Sequence, residues 1–233
     1  MTRIISTPSR SSTPTRSKHK ISIPSSALSD IKSNFDSCLD DINKRFAYVD
    51  LFSSPESSSE EIEASQDILR FQIVSIDSLL DYYMHQIFVY GLKKIFNDEW
   101  PKTDSYLKML IPLGNVEDAI QNPENTDWIE EIIDQHINKD TFMNGNGINK
   151  VLNHIGLSLS NIANSLGYNL QDLSKKISDL YSRRTKIVHY ADINPDTKCK
   201  NPISKSEVTD YINLIKNLCD KIYDAVLNMD GSS

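Results

Sequence analysis

Apolar residues recur every three or four positions in several long stretches of the chain. The first stretch, from Ser26 to Phe46, carries Leu28, Ile31, Phe35, Leu39, Ile42 and Phe46. This spacing places the apolar side chains on one face of an amphipathic helix. The Ser53-Ser54-Pro55 segment interrupts the pattern and predicts the end of this helical region.

The longest helical pattern runs from about Pro55 to Phe96. Its main seam consists of Leu69, Ile73, Ile76, Leu80, Tyr83 and Ile87. Further apolar residues lie on the other faces, so we expect a central helix that is buried on most sides. Gly91, near its end, indicates either close packing or a weak point in the helix.

Two more helical stripes follow towards the end of the chain. The first consists of Leu170, Leu173, Ile177, Leu180 and Ile187. Either Asn169 or Ser160 is suited to cap this helix. The second stripe runs from Val208 to Val226. Strand-like alternation bounded by hairpin turns is absent, so the predicted fold class is an all-α helical bundle.

The segments between and around these helices have a different composition. Residues 102–150 contain Pro112, Gly114, Pro123 and the Asn144-Gly145-Asn146-Gly147 cluster, which predict an insertion of short helices and loops. Residues 1–25 are rich in Ser, Thr, Pro and basic residues and are predicted to be a disordered tail. We therefore expect one helical domain at 26–229, followed by a flexible C-terminus at 230–233.

Charge is distributed unevenly along the 233 residues, whose net charge is -7. Five basic residues precede the first acidic residue, Asp30, so the rest of the chain is more acidic than the whole. Such a body does not form a broad electrostatic platform for nucleic acid. Any contact with nucleic acid must come from a local basic cluster or from the tail.

The cysteines and the hydropathy indicate a cytoplasmic protein that does not bind a membrane. Cys38, Cys199 and Cys219 are odd in number and lack paired ligand spacing, which argues against a disulfide framework and against a zinc site. No apolar run approaches the length of a membrane span, and the first residues lack the apolar core of a secretory signal. We expect neither a metal nor another cofactor.

A cationic cluster ends the helix that begins near Leu170. Its sequence is Ser182-Arg183-Arg184-Thr185-Lys186-Ile187-Val188-His189-Tyr190. Arg184 falls in the apolar seam, where a guanidinium needs an anionic partner or exposure at a groove. Arg184 and His189 lie about 140° apart around an ideal helix, so one protomer aligns them poorly. A two-fold dimer that packs these helices together would bring both copies into one cleft.

Such a cleft has the groups needed to cleave RNA. A neutral His189 could act as the general base towards a ribose 2′-hydroxyl, because the reference pKa of histidine lies near cellular pH. Arg184 would neutralise the scissile phosphate and the charge that develops on it. We expect Arg183, Thr185, Lys186 and Tyr190 to contact the substrate. This chemistry requires no metal.

These residues resemble the R-x4–6-H signature of HEPN ribonucleases, in its R-x4-H form, from Arg184 to His189. The segment from Ile68 to His85 is similar to the earlier core helix of the RiboL-PSP-HEPN group, and 183–192 is similar to its second helix. The resemblance implies a homodimeric helical bundle and an endoribonuclease that leaves a cyclic phosphate. It also implies a toxin, antiviral or stress system, with an antitoxin or defence protein as a further partner. Thr185 departs from the Asn or Asp usual in this group.

Other interpretations of the same residues stay open. Asp77, Asp81 and His85 share one face of the central helix, either as a strip facing the cleft or as a buried polar network. Asp81, His85 and Asp192 are therefore candidate cleft residues. Arg183 and Arg184 could instead pair with acidic residues, with His189 placed at the helix C-terminus. A catalytically silent dimerisation or nucleotide-sensing module is the alternative function.

Overall fold

A computed structural model describes residues 20–122, 125, 127–137, 142 and 144–231. These residues contain no strand, and their only β-bridge joins Ile193 to Lys200. The all-α prediction is confirmed. The helices are α1 (Ala27–Lys44), α2 (Phe46–Phe52), α3 (Ser59–Phe96), α4 (Asp104–Leu107), α5 (Leu113–Gln121), α6 (Asp127–Ile137), α7 (Gly145–His154), α8 (Leu159–Ser165), α9 (Leu170–Tyr190) and α10 (Lys205–Asp230).

Helix α3 is the central helix that the sequence predicts. It packs against α1, α2, α9 and α10, and its seam residues Ile73, Ile76 and Leu80 have no exposed surface. The helix begins after Ser58, because Ser58 and Glu61 form a reciprocal capping box that satisfies two backbone donors. Within the described residues, no helix combines the length and the apolar character that crossing a membrane requires.

The predicted insertion at 102–150 contains three short helices, α4 to α6, and also α7. The glycine-rich cluster at its end starts α7 instead of forming a turn. Asn144 caps this helix, because its Oδ1 accepts a hydrogen bond from the backbone N of Gly147 at 2.9 Å. A Cβ on Gly145 would lie 2.7 Å from Cβ of Ser174, so the glycine lets α7 approach α9 closely.

Helix α9 carries the cationic cluster and runs antiparallel to α3. Asn169, not Ser160, caps it, since its Oδ1 accepts a hydrogen bond from the backbone N of Asp172 at 2.8 Å. The seam residues Leu173, Ile177 and Leu180 are completely buried. The helix ends at Tyr190, where Ala191 takes a left-handed conformation with φ of 51°.

The boundaries predicted for the two flexible ends, 1–25 and 230–233, include residues that pack in the fold. Residues 1–19 and 232–233 lie outside the described residues. Ile21, however, is buried, and its N donates to Oδ1 of Asn97 at 2.8 Å while Nδ2 of Asn97 donates to its O at 2.9 Å. Asp230 is also held, because it accepts hydrogen bonds from the Tyr90 hydroxyl and from Nε1 of Trp100. Composition alone does not predict these contacts of Ile21 and Asp230, because their partners lie far away in the sequence.

Candidate functional site

The guanidinium of Arg183 is engaged inside the protein. Its Nη1 pairs with the carboxylate of Asp192, and its Nη2 donates to the carbonyl O of Pro202 at 2.9 Å. Its Nε lies 3.3 Å from Oε1 of Glu207 on α10. Only 11% of the Arg183 side chain is exposed. Arg183, which the sequence predicts to contact the substrate, is thus held in an internal network.

Asp192, a candidate cleft residue, has no exposed surface and does not line a cleft. Besides Arg183, its carboxylate accepts hydrogen bonds from Nε of Arg70 at 2.8 Å and from Nδ2 of Asn201 at 3.0 Å. Two guanidinium groups and an amide thus compensate its burial. The cleft prediction for Asp192 is wrong, because this residue ties α3 to the C-terminal end of α9.

Arg184 faces α3, where the Oδ2 of Asp77 lies 3.6 Å from its Nε. Asp77 is completely buried, and neither carboxylate oxygen has a hydrogen-bond partner among the described residues. Burial raises the pKa of Asp77 to about 7, a rise that Arg184 opposes and nearby Asp81 reinforces. The anionic partner that an arginine in the seam requires is therefore Asp77.

Further buried polar atoms surround this pair. Oγ1 of Thr185 and Nε2 of His85 are buried and have no hydrogen-bond partner among the described residues. Oδ1 of Asp81 accepts a hydrogen bond from the backbone N of Phe142 at 3.0 Å and lies 4.0 Å from Nε2 of His85. Burial lowers the pKa of His85. Unsatisfied buried polar groups are rare, so their concentration beside Arg184 marks a candidate site.

The outer surface of α9 carries the second half of the motif. Lys186, Val188, His189 and Tyr190 are exposed, and Tyr190 exposes 66% of its surface. No carboxylate pairs with His189 in the part of the chain that the structure describes. His189 thus does not share the pairing found for both arginines. One chain directs Arg184 towards Asp77 on α3, with 22% of the arginine side chain exposed, and presents His189 on the exposed surface of the same helix.

Asp77 is a candidate site residue that was not among the residues predicted for the site from the sequence. It stands four residues before Asp81 and eight before His85, so the strip of polar residues on the central helix was visible in the sequence. Which member of this strip meets Arg184 depends on the register between α3 and α9. Among the described residues, no group of three His, Cys, Asp or Glu side chains is arranged to hold a metal ion.

Comparison with known families assigns most of the chain to one family. The RiboL-PSP-HEPN family model matches residues 33–228, a range that includes both α3 and the whole of α9. No curated protein and no solved structure matches the chain. HEPN domains are generally linked to ribonuclease or nucleotide-related roles. Because the match covers most of the sequence, the chain belongs to the RiboL-PSP-HEPN family.

Proposed function

We propose that this protein is a metal-independent endoribonuclease whose site forms between two copies of the chain. The observation that carries the proposal is the difference in the surroundings of the two motif residues, Arg184 and His189. Arg184 is partly exposed and faces the buried Asp77 of α3, whereas His189 is exposed on the outer surface of α9. A second copy related by a two-fold axis supplies the missing group to each half of the site.

The guanidinium of Arg184 is suited to bind a phosphate. Asp77 pairs with its Nε, and neither Nη group forms a hydrogen bond with the described residues. The two Nη groups can therefore donate to a phosphate while the opposite side of the guanidinium is held in place. Since Asp77 is buried on α3, it orients the arginine before substrate binds.

The proposed reaction transfers the phosphate within the RNA strand. His189 takes the proton of a ribose 2′-hydroxyl, and the resulting oxygen attacks the neighbouring phosphorus. The bond from phosphorus to the 5′-oxygen breaks, and that oxygen leaves as a hydroxyl after it accepts a proton from water, while His189 returns its proton to solvent. The products are a 2′,3′-cyclic phosphate and a 5′-hydroxyl end. Arg184 stabilises the negative charge that develops on the phosphate oxygens.

Apolar side chains at the end of α9 support association of two copies. Val188 exposes 47%, Tyr190 66% and Ile193 47% of their surface. Exposed apolar residues that cluster in this way are typical of protein interfaces. In this proposal the homodimer acts in the cytoplasm, in a toxin, antiviral or stress system, and an antitoxin or defence protein restrains it.

The test is cleavage of total RNA by the purified protein in EDTA. We expect wild type to produce ends with a cyclic phosphate and His189→Ala to produce none, because the general base is lost. Lys175→Ala, an exposed residue on the same helix, is the matched control and should retain activity. A substrate with 2′-deoxyribose at the cleavage position should resist the enzyme. Full activity of His189→Ala would refute the mechanism.

A catalytically silent module is the second candidate function. The pairing of both arginines with acidic residues favours it, since a guanidinium held by carboxylates is less available to a substrate. Thr185 also offers fewer hydrogen bonds than the Asn or Asp usual in the family. This module would dimerise and bind a nucleotide without cleaving RNA. A dimer that yields no cyclic phosphate under any of these conditions would support it.

A further inference from the structure

An apolar groove lies at the end of α3 that is remote from the candidate site. Leu92 and Phe96 of α3, Leu107 and Ile111 of the insertion, and Trp128 of α6 line it, and its volume is about 230 Å³. Leu107 exposes 64% and Ile111 45% of their surface. Apolar surface of this kind is typical of a binding site for another segment of protein.

An acidic cavity adjoins this groove. It is lined by Asp118, Asp127 and Glu131, has a volume of about 400 Å³, and shares Trp128 with the groove. The apolar groove and the acidic cavity thus share the side of the fold at Trp128. A segment that places a cation next to apolar side chains would match both surfaces.

The N-terminal segment of the chain has this composition. Residues 1–19 lie outside the described residues, contain no acidic residue, and include Arg3-Ile4-Ile5. The described chain starts beside the groove, because Ile21 is hydrogen-bonded to the side chain of Asn97 and Asn97 directly follows Phe96. An extended chain from Ile5 to Ile21 can span up to about 55 Å, which is ample for a neighbouring groove.

We propose that the N-terminal segment docks on the groove of its own chain through residues 3–5, with the rest of the segment as its tether. Ile4 and Ile5 enter the apolar part, and Arg3 lies at the acidic cavity. Docking within one chain is favoured because the tether to Ile21 holds the segment at a high effective concentration. The groove residues Leu92 and Phe96 lie about 22 and 28 Å along α3 from Asp77, so this contact does not involve the Arg184 and His189 site. It is therefore independent of the proposed ribonuclease activity.

Trp128 provides the measurement in the full chain. Trp100, the other tryptophan, is only 3% exposed, so quenching of tryptophan fluorescence by acrylamide reports mainly on Trp128. The test variant is Ile4→Asp with Ile5→Asp. The control is Ser11→Asp with Ser12→Asp, which adds the same charge to the same segment. We expect quenching to rise about twofold in the test variant, because undocking uncovers an indole, and to stay unchanged in the control.

A second measurement observes the segment itself. Trypsin should cleave after Arg16 readily but after Arg3 slowly, and Ile111→Asp in the groove should speed cleavage after Arg3 alone. Equal quenching in wild type, test and control variants would overturn the proposal. So would quenching that depends on protein concentration, because another copy would then supply the segment. Cleavage after Arg3 that ignores Ile111→Asp would exclude this groove as the docking site.

Discussion

The Nε of Arg184 lies 3.6 Å from a carboxylate oxygen of Asp77, a residue with no exposed surface. This pair joins the strip of polar residues on α3 to the cationic cluster of α9. Because both oxygens of Asp77 lack hydrogen bonds among the described residues, the carboxylate depends on Arg184 for compensation of its charge. The protonation state of Asp77 therefore affects both stability and the placement of Arg184.

Asp77→Asn should change how stability depends on pH. The pKa of Asp77 is raised from 3.8 to about 7, so between these values the folded protein binds a proton that the unfolded chain has released. Stability contributed by this group is complete below pH 3.8 and is lost as pH rises through about 7. We expect the variant to lack this loss. Urea unfolding at pH 5 and pH 8 measures it.

Comparing Asp77→Asn with wild type separates the contribution of Asp77 to the pH dependence of stability from the contributions of other titrating groups. Burial lowers the pKa of His85, which makes stability rise with pH as its folded form loses the proton. This opposite contribution is present in both proteins. Identical pH dependence in wild type and Asp77→Asn would show that Asp77 is ionised over the whole range.

Replacement of the two adjacent arginines should separate stability from activity. Arg183→Ala removes a partner of the fully buried Asp192 and should cost about 3–5 kcal/mol of unfolding free energy. Arg184→Ala should cost less, since Asp77 can take up a proton when its partner is lost. Urea unfolding and RNA cleavage on the same samples measure both effects.

The RNA cleavage activity of these variants tests whether Arg184 has a catalytic or only a structural role. If Arg184 clamps the phosphate, Arg184→Ala should lower cleavage by about 10²–10³-fold or more while the protein stays folded. Arg184→Lys should restore little, because an ammonium cannot make bidentate contacts. Loss of stability in Arg184→Ala as large as in Arg183→Ala would instead mark Arg184 as a structural residue.

A mixture of two inactive variants should recover cleavage if the site is shared between copies. Random exchange of Arg184→Ala and His189→Ala chains puts one intact copy of each residue in about half of the dimers. We expect the activity of the mixture to exceed by far the strongly reduced activity of either variant alone. Light scattering on the same samples measures the oligomeric state. A monomeric mass together with cleavage by wild type would exclude the shared site.

Gly91 should be intolerant of a side chain. A Cβ at this position would lie 2.6 Å from Cγ2 of Ile155 and 3.0 Å from Cζ3 of Trp100. We expect Gly91→Ala to destabilise the protein by about 1–3 kcal/mol, because the buried contact cannot absorb the added methyl group. Thermal unfolding followed by circular dichroism measures the change.

Gly114→Ala provides the matched control. It adds the same methyl group within a helix, but among the described residues no atom outside the neighbouring backbone lies within 4 Å of the added Cβ. This variant should be neutral or slightly stabilised, because alanine favours the helix more than glycine does. A similar loss of stability in both variants would mean that close packing is not the role of Gly91.

The sequence was sufficient for features that depend on local periodicity. The stripes that end at Ile87, Ile187 and Val226 predicted α3, α9 and α10, since a buried helix face repeats every three or four residues. The R-x4-H spacing likewise indicated the family whose model matches residues 33–228. The Asp77, Asp81 and His85 strip was visible for the same reason, because residues four apart share a helix face.

Partnerships between distant residues required the tertiary structure. From its position beside the motif, Asp192 was predicted to line the cleft. It is instead buried, and its carboxylate accepts a hydrogen bond from Arg70, over a hundred positions earlier. Ile21 was predicted to belong to a disordered tail, but its backbone is hydrogen-bonded to the side chain of Asn97. The sequence by itself determined the helices, their buried faces and the family motif. Only the packing of α3 against α9 decided that Asp192 binds Arg183 and Asp77 faces Arg184, because helix register depends on contacts that local periodicity does not encode.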